Sequence, residues 1–234
     1  MERFRLDDLE IMYEKNFSSR ATRPRIRFSK SRGFIVTVPE RMRSSFDIES
    51  FLERTSDWLE ERASELRDYQ EKAPERSFTD GEVISIIGRN LVLRKDNFRG
   101  HSIEDGEIKI SERYARSQKE VRKAVEKLLR ERARKIFRKK AEDFSEKLNV
   151  DYNRIYVRNQ KTKWGSCSGR KNINLNWRLI LGPEKILDYV VAHEITHLKY
   201  RDHSDRFWDQ LEEIIPDYRK RKKWLEEKSY LLEF

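Results

Sequence analysis

Short β-type hydrophobic segments and one helical segment make up the first part of the chain. β-Forming residues alternate or cluster at residues 25–28 and 34–38, which predicts a hairpin over residues 20–38. Apolar residues then recur at helical spacing over residues 47–69, so we predict a helix there.

Two more hydrophobic runs, at residues 82–87 and 91–94, flank the turn sequence Gly88-Arg-Asn90. Their length and β-branched content predict a second hairpin, and residues 107–110 predict another strand. We therefore expect residues 1–112 to form a small β-rich domain with one helix.

A long segment with helical periodicity follows. Its apolar positions share one face of a helix at residues 113–148, and they are Val121, Val125, Leu128, Ala133, Phe137, Phe144 and Leu148. The opposite face is basic, because residues 113–147 contain fourteen Lys or Arg and six Asp or Glu, a net charge of +8.

Two short strands and a helix are predicted next. The strands are expected at residues 154–157 and 172–177, joined by a connection too rich in Gly and Ser to be helical. Pro183 suits the first turn of a helix, and the apolar residues that follow it can pack on the short sheet.

The remaining residues predict two more helices. Ser204 or Asp205 can begin the first, which Pro216 ends, and the second is expected over residues 217–232. Residues 113–234 are therefore expected to form a second domain that includes the basic helix, and the chain as a whole is expected to be of the α+β class.

Composition and cysteine usage limit the protein class. Charged residues make up 40% of the chain, yet five Trp, nine Tyr and twelve Phe favour a folded protein. Cys167 is the only cysteine, and no apolar run resembles a signal peptide or approaches the ~20 residues of a membrane span. We expect a cytoplasmic protein that does not enter a membrane.

The formal net charge of +10 raises the question of nucleic-acid binding. Much of this charge lies in the basic helix, residues 113–147. One interpretation is a solvated helix face in a protein rich in Lys, Arg and Glu, and the other is a surface that contacts nucleic-acid phosphates.

Three of the four histidines lie close together in the sequence. His193 and His197 are four residues apart, so they project from the same face of the predicted helix and can share one metal ion. Glu194 lies next to the first of them, as in His-Glu-x-x-His zinc peptidases, where the glutamate acts as general base. This segment predicts a catalytic Zn²⁺ site.

A catalytic zinc usually has three protein ligands, so a third ligand is needed. On an unbroken helix His203 would lie ~15 Å from His193 along the axis, so the chain must turn after His197 if His203 is the ligand. Glu212 or Glu213 is the alternative, and Cys167 could close a purely structural site as a fourth ligand.

Other candidate residues follow from type alone. Tyr200, Tyr218 and Arg219 can donate hydrogen bonds to a developing oxyanion. The strand at residues 172–177 could present a free edge that holds an extended peptide. His101 lies in a polar, turn-like stretch and is predicted to be a surface histidine.

Several runs resemble one known family, the YgjP-like metallopeptidases, which are relatives of the SprT-type zinc peptidases. These runs are Arg158-Asn-Gln-Lys-Thr-Lys-Trp-Gly-Ser-Cys-Ser168, Ile173-Asn-Leu-Asn-Trp-Arg-Leu179, Tyr189-Val-Val-Ala-His-Glu-Ile-Thr-His197, His203-Ser-Asp-Arg-Phe-Trp208 and Pro216-Asp-Tyr-Arg219. The resemblance implies a zincin-like fold, His193, His197 and His203 as zinc ligands, and Glu194 as the catalytic acid and base.

The expected function is zinc-dependent hydrolysis of peptide bonds in a protein or peptide substrate. Two alternatives stay open at the level of sequence. One is a nucleic-acid-binding protein with a structural zinc site, and the other is a protease recruited to DNA-bound proteins, as the resemblance to SprT-type relatives suggests.

Overall fold

The structure is a computed structural model that describes residues 1–6, 9–29, 33–160 and 162–234. The backbone packs into two compact units, Met1–Ala73 and Pro74–Phe234. Each unit has its own hydrophobic core and is described separately.

The first unit is a four-stranded sheet with two helices. Its elements are β1 (Glu2–Leu6), β2 (Leu9–Ser18), β3 (Arg25–Ser29), β4 (Gly33–Pro39), α1 (Ile48–Glu53) and α2 (Ser56–Lys72). The strand order is β1-β2-β4-β3, and β2 and β4 run parallel. Every residue of β4 is buried, as expected of a central strand.

The predicted hairpin is confirmed, because β3 and β4 pair antiparallel, although residues 30–32 lie outside the described part of the chain. The predicted single helix is two helices. Thr55 leaves the helical region at φ −122° and ψ 22°, and its hydroxyl donates to the Leu52 carbonyl at 3.0 Å. Strands β1 and β2 were not predicted, since charged residues interrupt their buried positions Phe4, Ile11 and Tyr13.

The second unit begins with another four-stranded sheet. It contains β5 (Val83–Ile86), β6 (Arg89–Asp96), β7 (Ser102–Glu104) and β8 (Glu107–Ser111), in the order β5-β6-β8-β7. The predicted second hairpin is confirmed by the antiparallel pairing of β5 with β6. Its turn is Ile87-Gly88, with φ values of 52° and 73°, which is one residue earlier than expected and has the φ signs of a type I′ turn.

The boundary between the units differs from the expected one at residue 112. Ile84, Leu93 and Ile108 of the second sheet are fully buried in the same core as Val125 and Leu129 of the basic helix. This sheet buries one face against the basic helix, so it belongs to the same unit as that helix and not to a domain formed with residues 1–73. The structure therefore divides at Ala73 and Pro74.

The basic helix is α3 (Gln118–Leu148). It starts later than residue 113 because Ser117 and Glu120 form a capping box, and it ends where Asn149 adopts a left-handed conformation at φ 51°. The predicted apolar face is buried over most of its length.

A three-stranded sheet and three helices complete the unit. They are β9 (Arg154–Arg158), β10 (Gly165–Cys167), β11 (Asn172–Asn176), α4 (Glu184–Thr196), α5 (Asp205–Ile214) and α6 (Tyr218–Lys228), and a short 3₁₀ segment, Ser229–Leu232, follows α6. The strand order is β10-β11-β9. β11 is thus the central strand, and the expectation of a free edge at residues 172–177 is wrong. β10, which lies in the predicted connection, is an edge strand among the residues described.

The observed architecture is of the α+β class, as predicted, with helices and small sheets sharing one core in the second unit. Helix α4 is hydrophobic on several faces and packs against α3, α5, α6 and β10. No helix in the described ranges is long and apolar enough to cross a bilayer.

Candidate active site

Three histidines converge where α4 ends and α5 begins. His193 lies in α4, His197 caps its C-terminus, and residues 198–204 turn back so that His203 faces both rings. The ring centroids are 4.8 Å apart for His193 and His197, 5.1 Å for His193 and His203, and 4.7 Å for His197 and His203. The corner predicted between the two helices is therefore present.

One metal ion could reach all three imidazoles. One ligand nitrogen from each ring lies within 4.8 Å of the others, and the Nε2 atoms of His193 and His203 are 3.1 Å apart. Two nitrogens bound to one tetrahedral zinc lie about 3.3 Å apart when each Zn–N bond is ~2.05 Å. The observed separation agrees with that geometry.

Backbone contacts fix the corner and the orientation of His197. The Tyr200 N–H donates to the Thr196 carbonyl at 3.0 Å, which continues one turn beyond α4. The Tyr200 carbonyl lies 3.0 Å from His197 Nδ1. A carbonyl only accepts hydrogen bonds, so Nδ1 carries the proton and the lone pair of Nε2 is left for a metal.

Aromatic rings support the histidine cluster from α5. Phe207 is fully buried, with its centroid 4.6 Å from that of His197 and 4.9 Å from that of His203. Trp208 stacks on His203 with centroids 5.4 Å apart and planes at 23°, and Tyr218 stacks on the indole at 5.3 Å and 15°. The stack of Trp208 on His203 was not predicted from the sequence.

Burial favours the neutral form of two of the imidazoles, those of His193 and His197. Burial, with a smaller effect of His197 and His203, lowers the pKa of His193 to about 3. Burial also lowers the pKa of His197, although the Tyr200 carbonyl acts in the opposite direction. A neutral imidazole is the form that binds a metal, so His193 and His197 fit a metal ion in protonation state as well as in position.

Glu194 is buried beside strand β10. Its side chain is 5% exposed, and burial raises the pKa of its carboxyl group to about 8 against the opposing effects of Lys163 and the Cys167 N–H. A Cβ atom placed on Gly165 would lie 2.5 Å from Glu194 Oε1. The glycine therefore leaves the space that the carboxylate occupies.

In the described part of the chain, the residues proposed from the sequence as alternative metal ligands do not join the histidine cluster. Glu212 forms two hydrogen bonds with Arg219, of 3.0 and 3.2 Å, and Glu213 accepts one from Gln210 at 2.6 Å. Neither they nor Cys167 join the cluster of ligand atoms found among the described residues. The Cys167 thiol is half-buried, and burial followed by the Glu194 charge raises its pKa.

Two of the candidate oxyanion donors and His101 form contacts of their own in the structure. Arg219 is paired with Glu212, and Tyr218 lies in the stack with Trp208. His101 is half-buried rather than a free surface residue, because its Nδ1 accepts a hydrogen bond from the Ser111 N–H at 3.0 Å. Lys163 and Lys222 were not predicted to act on the site, but their charges lower the pKa of Glu194 and of His193 respectively.

Comparison with known proteins identifies the class of this molecule. The model of the YgjP-like metallopeptidase domain matches residues 22–228, and the chain belongs to this family. It is accordingly a metallopeptidase. The crystal structure of the metallopeptidase zymogen of Pyrococcus abyssi abylysin is similar with a TM-score of 0.37 and 20% identity, over 40% of this chain and 95% of that chain. Curated proteins gave no match.

Proposed function

We propose that this metallopeptidase is a zinc-dependent enzyme in which His193, His197 and His203 hold the metal and Glu194 is the general base. The observation that carries the proposal is the convergence of one nitrogen from each imidazole within 4.8 Å. Three nitrogen ligands with the fourth position left for water or substrate are typical of catalytic zinc sites.

The donor set supports zinc over magnesium or calcium. Neutral imidazole nitrogens suit zinc, whereas magnesium and calcium prefer oxygen ligands. No carboxylate or thiol of the described residues joins the three histidines. The small sheet beside the helix that carries two of these ligands also supports the zincin-like arrangement that the sequence resemblance implies.

Zinc bound at this site would polarise the substrate carbonyl and lower the pKa of water. Glu194, the residue after the first ligand, takes a proton from the attacking water as the new C–O bond forms. The carboxyl group then donates that proton to the leaving amine as the peptide C–N bond breaks. Burial of Glu194 excludes bulk water from this transfer.

We further propose that the substrate backbone binds along β10. This strand pairs with β11 through one edge, and its other edge has no strand partner within the described ranges. Since Gly165 in β10 contacts Glu194, an extended peptide added to this edge would pass close to the general base.

The test combines metal analysis with proteolysis. The purified protein is expected to hold one zinc ion per chain and to cleave unfolded casein, and removal of zinc with a chelator should abolish cleavage until zinc is added back. His203→Ala should lose zinc and activity, whereas Glu212→Gln and Glu213→Gln should keep both. Zinc retained by His203→Ala but lost by either glutamate variant would contradict the ligand set.

A further inference from the structure

A second cleft lies in the Pro74–Phe234 unit, between the β5–β6 hairpin and helix α3, and we name it the hairpin cleft. Its volume is about 610 Å³. Its floor is aliphatic and consists of Ile86, Ile87, Leu91, Ile103 and Ile136. The cleft is not part of the histidine site, because it is lined by Glu184 at the other end of α4.

Four cations surround this aliphatic floor: Arg89, Arg132, Lys135 and Lys139. All four are exposed, and within the described ranges none forms an ion pair. Lys140 also lines the cleft, but it is paired with Glu184 at 2.6 Å and Asp188 at 2.8 Å. Asp143 is the only other carboxylate in the lining that the structure describes, so five cations face two carboxylates and the lining carries an excess of positive charge.

The hairpin turn places an isoleucine where another residue type would be favoured. Ile87 has φ 52°, a left-handed conformation that is unfavourable for a β-branched residue. Its N–H donates to the Ile180 carbonyl at 2.7 Å, which holds the turn in place. Asn or Gly would relieve the backbone, but neither would supply the aliphatic side chain that Ile87 contributes to the floor.

We propose that the hairpin cleft binds an acidic peptide segment that carries an aliphatic or aromatic side chain, and that it recruits protein substrates. Carboxylates would pair with the cationic rim, and the apolar side chain would cover the floor. Recruitment rests on the proposed peptidase function, whereas peptide binding does not.

The chemistry of the lining favours a peptide over a nucleic acid. Proteins that bind single strands stack bases on aromatic side chains, and none of the described lining residues is aromatic. Phosphate contacts alone would not use a floor of five aliphatic side chains.

The segment bound here differs from the segment that is cleaved. Glu184 and His193 are nine residues apart in α4, which is about 14 Å along the axis and about 180° around it. The hairpin cleft and the histidines therefore face opposite sides of the helix. A substrate would contact the two sites with separate parts of its chain.

The test measures binding directly by fluorescence anisotropy, with a labelled dodecapeptide in which Asp and Glu alternate with Leu and Phe. The double variant Lys135→Glu/Lys139→Glu should weaken binding at least about tenfold. Lys119→Glu/Lys123→Glu is the matched control, because both pairs are exposed lysines four residues apart on α3 and the change in charge is the same. This control should bind within about twofold of the unmodified protein.

A second arm tests the floor. Ile136→Ser should weaken binding of the same peptide, and a peptide with Ser in place of Leu and Phe should bind the unmodified protein more weakly, with folding of each variant checked by circular dichroism. The proposal would be overturned if both lysine double variants lost affinity equally or if the acidic peptide did not bind. It would also be overturned if the Ser peptide bound equally well or if a 12-mer oligothymidylate bound more tightly. Because no arm depends on hydrolysis, failure here is distinct from failure of the proposed peptidase function.

Discussion

Gly165 lies so close to Glu194 that a Cβ atom at the glycine would stand 2.5 Å from Oε1, 2.6 Å from Cγ and 2.8 Å from Cδ of the glutamate. The φ angle of Gly165 is not in the left-handed region, so space rather than backbone conformation requires glycine here. This contact lies where strand β10 packs against helix α4, which carries His193 and Glu194.

The first prediction is that Gly165→Ala inactivates the enzyme without removing its metal. The added methyl group displaces the Glu194 carboxylate, and a displacement of ~1 Å in a catalytic group costs about 10²-fold in rate. We expect kcat/KM for casein to fall by about that factor while zinc content stays unchanged.

Gly169→Ala is the matched control for this substitution. Gly169 lies a few residues further along the same segment, its φ is not left-handed, and an added Cβ would meet no atom within 4 Å. This variant should retain full activity. Equal activity of the two alanine variants would show that the contact with Glu194 has no catalytic role.

The second prediction concerns stabilisation by zinc. A ligand that binds only the folded state at 100 times its dissociation constant adds about 2.7 kcal/mol to the free energy of unfolding. Thermal melts of the metal-free protein should therefore shift upwards when Zn²⁺ is added. The shift should disappear in His193→Ala and His197→Ala, and an unchanged shift in both would exclude this site as the origin of the effect.

The third prediction is that Trp208 orients the third ligand. Its indole stacks between His203 and Tyr218, and His203 is an exposed residue whose other aromatic support from α5 is the Phe207 ring. Trp208→Ala should reduce zinc affinity by about 10- to 100-fold, as is typical when support of a metal ligand is lost. Trp208→Phe keeps an aromatic ring and should restore most of the affinity. Competition with a zinc-binding dye measures it, and full affinity in the alanine variant would contradict this role.

The fourth prediction concerns the ion pairs between α3 and α4. Burial lowers the pKa of Lys140, but its hydrogen bonds to Asp188 and Glu184 outweigh this effect and leave the pKa raised. The hydrogen bond from Lys140 is also the largest cause of the lowered pKa of Glu184. Lys140→Met should reduce the free energy of unfolding by about 1 kcal/mol at pH 7, because solvent screens the exposed Glu184.

The pH dependence of that difference follows from the two shifts. A lowered carboxyl pKa stabilises the fold above the unfolded value and loses this effect as pH falls through the folded value. A raised Lys pKa stabilises the fold until pH rises through the folded value. The difference between Lys140→Met and the unmodified protein should therefore shrink below about pH 4. Lys139→Met should show a weaker dependence, because the Lys139 charge is only a minor cause of the lowered Glu184 pKa.

Helical periodicity predicted the elements that carry the histidines. The spacing of His193 and His197 and the apolar residues of α4 required a helix, and the position of His203 required a corner that the structure contains. Strand β10 could not be predicted in the same way, because Gly-Ser-Cys has no hydrophobic alternation and becomes a strand only by pairing with β11.

The boundary between the two units also could not be predicted from the local hydrophobic pattern. Residues 83–111 form their own hairpin and strands, but their buried face is completed by α3, which lies later in the chain. The contact of Gly165 with Glu194 does not follow from spacing, since it joins β10 to α4, and the stack of Trp208 on His203 depends on how the corner before α5 turns. Such contacts depend on tertiary packing, which local sequence does not encode by itself.

The most direct test of the account is to measure zinc content and casein cleavage together in Glu194→Gln. Gln is close in size to Glu but cannot accept the proton from water, so the account predicts one zinc ion per chain and loss of nearly all cleavage. Cleavage at the rate of the unmodified protein by zinc-loaded Glu194→Gln would contradict the assignment of Glu194 as general base.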